Sequence, residues 1–330
     1  MKLKGSAKNS SAKTVITAAA ILGSGLLALR VFQSLMLIDP ATGFFTEHKN
    51  VTVFVFYAFA AATALLVPLI AYLAPLSGAE YIAAAKRPVH ALGCFALAAG
   101  VCKDFIDLFS SGERTRIVIA TVVIGAVAAV ALLLCGVAFL TGKEIVKKAR
   151  LLYAFPALWG LCRTISYFTI YASYIKNSAL LLSIFADVFL MIFLFEYGKK
   201  ITGLGGDGNS PAYLSTALVC AVFQLCTAVT GAIGIFRGEE FLHVPFAFFR
   251  VCAVLFCLSA VGVFLKNNVP DYEPAKEIET HPLAAEDADA APEAPAVPEV
   301  PAVPEVPEAP ERPVAPAATE TPETNEADEA

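Results

Sequence analysis

The sequence predicts an all-α fold: a polytopic membrane helix bundle of eight transmembrane helices with a disordered Pro/Glu-rich C-terminal tail. Three observations predict it. Of 330 residues, 57% are hydrophobic and the mean hydropathy is +0.68, against about 45 to 50% apolar residues in soluble domains. The apolar residues gather into eight runs of about the 20 residues that cross a hydrocarbon core roughly 30 Å thick. The final stretch, 268–330, holds 17 acidic and 2 basic residues and too few apolar side chains to bury a core. The net charge of −5 therefore divides into −15 on the tail and +10 on the membrane body.

Residues 1–13 form a basic N-terminus with Lys2, Lys4, Lys8 and Lys13 and no acid, followed by an apolar run from Thr14 to Ile38. A signal peptide has an apolar stretch of about 7 to 15 residues ending at a small-residue cleavage site. This run continues for eight residues past Arg30 with no such site, so it predicts a first membrane helix, with cleavage as the alternative. Seven more runs follow, at 51–74, 89–110, 117–141, 151–173, 178–199, 212–236 and 245–265. Pro68 lacks an N–H and predicts a kink in the second helix, while Pro156 and Pro245 fall in first turns, where proline is tolerated. Lys103, Asp104 and Asp107 make the third run the least apolar.

Orientation follows from Lys and Arg in the short connections. With the N-terminus in the cytoplasm, the inner segments hold thirteen such residues, among them Lys86, Arg87, Lys143, Lys147, Lys148, Arg150, Lys199, Lys200 and Lys266. The outer segments hold five: Lys49, Arg114, Arg116, Lys176 and Arg237. The expected location is the cell membrane, multi-pass, with both termini cytoplasmic. An echo between Lys49-Asn50 with its following run and Lys176-Asn177 with its own suggests a parallel four-plus-four repeat, 14–142 and 150–267, within a membrane domain spanning 14–267. The tail has proline at every third position from Pro292 to Pro316, the period of an extended polyproline II rod.

The body is organised around the run Leu151 to Ser173, which carries Arg163 about 18 Å from Leu151, near the bilayer centre. Trp159, Arg163, Ser166, Tyr167, Tyr171 and Tyr174 follow helical spacing and form one polar and aromatic stripe, which must face protein or water. A charge at that depth is costly and is by default a candidate functional site. Placed by depth, Arg30, Gln33, Lys103, Asp104, Arg163, Tyr167, Asp187 and Gln224 are the candidate solute-binding residues. They would line one outward-facing cavity together with Arg250, Ser34, Thr227 and Asp107, above an almost purely apolar inner half. The expected function is binding or translocation of a small polar or anionic solute. The competing reading is a scaffold or sensor in which the charges are structural pairs. It pairs Arg163 with Asp187 and Lys103 with Asp107, and brings Arg30 or Arg250 to Asp104 or lets them snorkel toward the outer surface.

Other motifs point to little chemistry. Gly203 to Gly208 fits G-x-G-x-x-G, but a dinucleotide site needs a strand before it and a helix after it in a βαβ unit, so this is a loop. The eight cysteines lie in apolar runs without metal-ligand spacing and read as small packing residues. His48, His90, His243 and His281 lie in loops, at a helix start or in the tail, so no nucleophile, base and orienting group can be assembled, and no enzyme, metal or other cofactor is expected. The expected partners are membrane lipids, with Lys143, Lys147, Lys148 and Arg150 placed for anionic headgroups, the solute, and a possible protein partner of the tail 268–330; nucleic acid is not among them.

Overall fold

A computed structural model of the protein describes residues 3–39, 45, 51–74, 76, 86–110, 115–143, 150–171, 178–204, 210–237 and 246–268. The tail, Tyr174, Lys147, Lys148, the glycines beyond Leu204, and His48, His243 and His281 lie outside these residues. The described residues form eight α-helices: α1 (Leu3–Met36), α2 (Val51–Leu73), α3 (Pro88–Ser110), α4 (Arg116–Thr141), α5 (Phe155–Tyr171), α6 (Ser178–Thr202), α7 (Ser210–Arg237) and α8 (Phe246–Asn268). A 3₁₀ turn, Arg150–Ala154, leads into α5, and one antiparallel bridge joins Ile38 to Phe45.

Six of the eight, α1, α2, α4, α6, α7 and α8, are long and apolar enough to cross a membrane. Large apolar side chains such as Phe54, Leu73, Phe109 and Phe236 also point outward, a surface suited to lipid and not to water. The chain has the build of an integral, multi-pass membrane protein. The other two are α3, which carries Lys103, Asp104 and Asp107, and α5, which is 17 residues long. These two bring Asp104 and Arg163 into the bundle.

The helix ends follow local chemistry. Thr115 caps α4 by accepting the Val118 N–H through its side chain, and Gly142 closes it at φ 73°, donating its N–H to the Ala138 carbonyl. That left-handed position favours glycine. Proline at the second position of α5 costs no intrahelical hydrogen bond. Two boundaries differ from the hydropathy reading. Helix α1 begins at Leu3 rather than at Thr14, so the basic start belongs to the same helix as the apolar run. The 151–173 run divides into the 3₁₀ turn and α5. Helix α2 runs unbroken through Pro68.

Helices α3 to α8 close into a ring in chain order, each packed on the next and α8 returning to α3. Helices α1 and α2 pack on each other and on the outside of α7. Chain direction alternates around the ring, so α3, α5 and α7 start at one end, here the Pro88 end, and finish at the other, the Ser110 end. Glycine allows the closest approaches. A side chain at Gly93 would meet Ser259 Oγ at 2.2 Å and the Phe256 backbone at 3.2 Å, so α3 and α8 come together there with nothing between them.

Candidate functional site

Four ionisable side chains meet inside the ring, and each comes from a different helix. Asp104 (α3), Arg163 (α5), Asp187 (α6) and Arg250 (α8) are 1%, 1%, 2% and 3% exposed. Arg163 grips Asp104 with two hydrogen bonds, Nε to Oδ2 at 3.0 Å and Nη2 to Oδ1 at 3.2 Å. Arg250 grips Asp187 in the same two-point manner, Nη1 on Oδ1 and Nη2 on Oδ2. Bidentate pairs of this kind are the strong, geometrically specific form of the Arg–carboxylate contact. Two arginines and two aspartates make the quartet neutral. By helix rise the four charges lie about 6 to 14 Å from the Ser110 end of their helices.

The other ring helices complete the shell. Gln224 of α7 accepts from Arg250 Nη1 at 3.0 Å and donates to the Ala186 carbonyl at 2.9 Å. Tyr167 of α5 donates to Asp104 Oδ1 at 3.3 Å. Thr121 of α4 and Ser166 of α5 share a hydrogen bond of 2.7 Å. The Arg163 guanidinium lies against the rings of Phe249 at 4.2 Å, Tyr167 at 4.5 Å and Trp159 at 5.9 Å, where π faces favour a cation in a desolvated place. Trp159 in turn fits against α4 because residue 125 is glycine; a Cβ there would stand 2.6 Å from Trp159 Cδ1.

The quartet has one weak seam. The two bidentate pairs are joined by a single ion contact, Arg163 Nη1 to Asp187 Oδ2. Among the described residues the one acceptor against Nη1 is that carboxylate oxygen, and Trp159 Nε1 is a buried donor with no hydrogen-bond partner. Buried donors without acceptors are rare and costly. Arg163 and Trp159 stand on α5, four residues apart, on the stripe that faces the ring interior.

This chain matches no family model, no curated protein and no solved structure. Its chemistry must therefore be read from the geometry.

The structure gathers Asp104, Arg163, Tyr167, Asp187 and Gln224 into one centre, joined by Arg250. It does not bring the remaining predicted residues there. Arg30 of α1 bonds Gln33 at 3.3 Å and Thr230 of α7 at 3.4 Å, and Gln33 donates to the Thr52 carbonyl at 2.9 Å, so both belong to the seam where α1 and α2 meet α7. Lys103 pairs with Asp107 on its own helix, with its side chain 41% exposed. Among the anticipated pairs, Arg163–Asp187 and Lys103–Asp107 form, but the principal partner of Arg163 is Asp104. Arg250 goes to Asp187 and not to Asp104.

A second polar cluster was missed at the Pro88 end, where the sequence reading expected an almost purely apolar layer. His90, the third residue of α3, is buried. Its Nε2 meets Tyr197 Oη of α6 at 2.8 Å and its Nδ1 meets Ser259 Oγ of α8 at 2.9 Å. Tyr197 Oη also lies 3.1 Å from Cys135 Sγ of α4 and 3.7 Å from Cys94 Sγ of α3. The missed signal was the spacing of His90 and Cys94, which puts both on one face of α3. Buried apolar residues of the ring helices, among them Leu97, Val101, Leu132, Leu190 and Phe193, occupy intermediate positions between the two polar groups.

Proposed function

We propose that the protein is a multi-pass cell-membrane protein with eight spans that binds or translocates a small polar, charge-bearing solute at the Arg163 quartet, without covalent chemistry. The observation that carries the reading is the seam. Two bidentate Arg–Asp pairs meet through one contact, Arg163 Nη1 on Asp187 Oδ2, so a solute oxygen could exchange with that single contact while each pair keeps its own grip. Energetics support a site over glue. A charged residue at the centre of a membrane helix costs about 2.5 to 3.5 kcal/mol on insertion scales, and well-packed apolar residues often replace a buried ion pair without loss. Positive-inside counting puts the Ser110 end outside, so the quartet lies in the outer half.

The alternative, a scaffold or sensor with structural charge pairs and a working tail, draws on one observation: each charge of the quartet already contacts an opposite one. The test is thermal stability of the purified protein in lipid nanodiscs against panels of carboxylates, phosphates, amines, amino acids and sugars. One class of oxyanion or zwitterion should raise Tm in a saturable way. A panel that leaves Tm unmoved, together with unchanged uptake and growth of a deletion strain across the same classes, would favour the scaffold.

A further inference from the structure

We propose that the solute of the quartet is a small zwitterion of the α-amino acid type: its ammonium takes Asp187 Oδ2, and its carboxylate takes Arg163 Nη1 and Trp159 Nε1. This rests on the solute reading and names the chemistry of that solute.

Most of the quartet's hydrogen-bonding capacity is committed within its two pairs. Asp104 accepts from Arg163 Nε, Arg163 Nη2 and the Tyr167 hydroxyl. Arg250 Nη1 donates to Asp187 and Gln224, and its Nη2 to Asp187 and the Ser183 carbonyl. Gln224 is held at both ends, by Arg250 and by the Ala186 carbonyl. The contact that neither pair needs is the seam, Arg163 Nη1 on Asp187 Oδ2. That contact has a polarity: one end is a cationic N–H donor and the other an anionic acceptor. A solute inserted there must offer an acceptor to the first and a donor to the second, or a buried charged group loses a partner. An anion alone answers Nη1 and repels Oδ2, and a cation alone does the reverse. A zwitterion answers both, and it adds no net charge to a neutral quartet whose members are no more than 3% exposed. In an α-amino acid the two charged groups stand on one carbon, which suits ends parted by two hydrogen-bond lengths, roughly 6 Å.

Trp159 calls for a second acceptor atom beside the first. It is 0% exposed, and its Nε1 is a buried donor with no hydrogen-bond partner among the described residues. The indole is enclosed by helices: Cδ1, the ring atom bonded to Nε1, faces Gly125 of α4, and the Phe249 ring of α8 stands edge-on at 5.6 Å. The Arg163 guanidinium carbon lies 5.9 Å from the indole centroid. A carboxylate that bridges two N–H donors through its two oxygens spans up to about 8 Å between the nitrogens. One held at Arg163 Nη1 therefore reaches the indole with its second oxygen. The solute needs two acceptor oxygens on the α5 side of the seam and an N–H-bearing cation on the α6 side. The Phe249 and Tyr167 rings, at 4.2 and 4.5 Å from the guanidinium, crowd the same space and keep the rest of the solute small.

Because Trp159 is the chain's single tryptophan, one NMR signal reports its indole N–H. The full chain in nanodiscs, with nitrogen-labelled tryptophan, is titrated at neutral pH with a panel of amino acids. Each amino acid that binds is compared with its N-acetyl derivative, which keeps only the carboxylate charge, and with its decarboxylated amine, which keeps only the ammonium. At least one small amino acid should bind saturably, with both singly charged relatives weaker by about tenfold or more, the loss of a charge-assisted hydrogen bond. The indole signal should move downfield on saturation with the amino acid or its N-acetyl derivative and stay in place with the amine. Trp159→Phe should weaken the carboxylate-bearing ligands by about tenfold and leave the amine unaffected, a split that a merely structural loss would not produce. If Trp159→Phe does not fold, the indole signal of the native chain decides. Equal binding of either singly charged relative, or an indole signal unmoved at saturation, would overturn the zwitterion site and leave the solute reading standing. A panel in which no solute of any class binds would overturn both.

Discussion

At the scale of single residues, the quartet is a chain of two strong links and one weak one, and double-mutant cycles read that order directly. Coupling should be largest for Arg163–Asp104 and Arg250–Asp187, which are bidentate, and smaller for Arg163–Asp187, which meet through one contact. Asp187→Ala strips both arginines of a partner and should cost about 3 to 5 kcal/mol, the loss expected for an orphaned buried charge. Asp104→Asn combined with Arg163→Gln removes one neutral pair and leaves Arg250–Asp187 intact, so the double variant should lose much less than the sum of Asp104→Asn and Arg163→Gln alone. Chemical denaturation in mixed micelles gives each number. Equal coupling across all three contacts would mean that the seam is not weak.

At the scale of elements, α5 is positioned by what α4 lacks. Gly125→Ala would put a Cβ 2.4 Å from Phe105 Cε1 and 2.6 Å from Trp159 Cδ1, forcing two aromatic rings to move beneath Arg163. The expected cost is about 1 to 3 kcal/mol, as for overpacking elsewhere, with quenching or shift of the fluorescence of Trp159, the chain's single tryptophan, as the local readout. The same scale shows what the sequence could carry. Helix existence was legible because each run is apolar over a spanning length, and the inward face of α5 was legible because Trp159, Arg163, Ser166 and Tyr167 break an apolar helix at helical spacing. Closure of the ring was not, because α3 and α8 are far apart in the chain and their other faces are apolar toward protein and lipid alike. Depth alone placed Arg30 and Lys103 beside Asp104; packing of α1 on α7, and of Lys103 on Asp107, separated them. His90 stands at a helix start, where hydropathy cannot distinguish a residue facing water from one facing across a ring.

At the scale of the whole molecule, the six-helix ring with α1 and α2 outside it places the quartet toward one end and the His90 cluster toward the other, so orientation decides which side of the membrane each serves. With Cys102 replaced, a thiol introduced at Lys143 should resist an impermeant reagent in intact cells, and one at Arg116 should react; the reverse pattern would invert the assignment. Truncation after Lys266 should leave melting unchanged, because the −15 charge of residues 268–330 and their repeated prolines give the tail nothing to bury. The central claim is that the buried charges are a site for a solute and not only a fastening. The most direct measurement is the ligand-induced Tm shift of the native protein beside that of the neutral double variant Asp104→Asn, Arg163→Gln. The account predicts that the variant inserts and melts within a few degrees of the native chain yet gains no stability from the solute class that stabilises the native protein; an undiminished shift in the variant would contradict it.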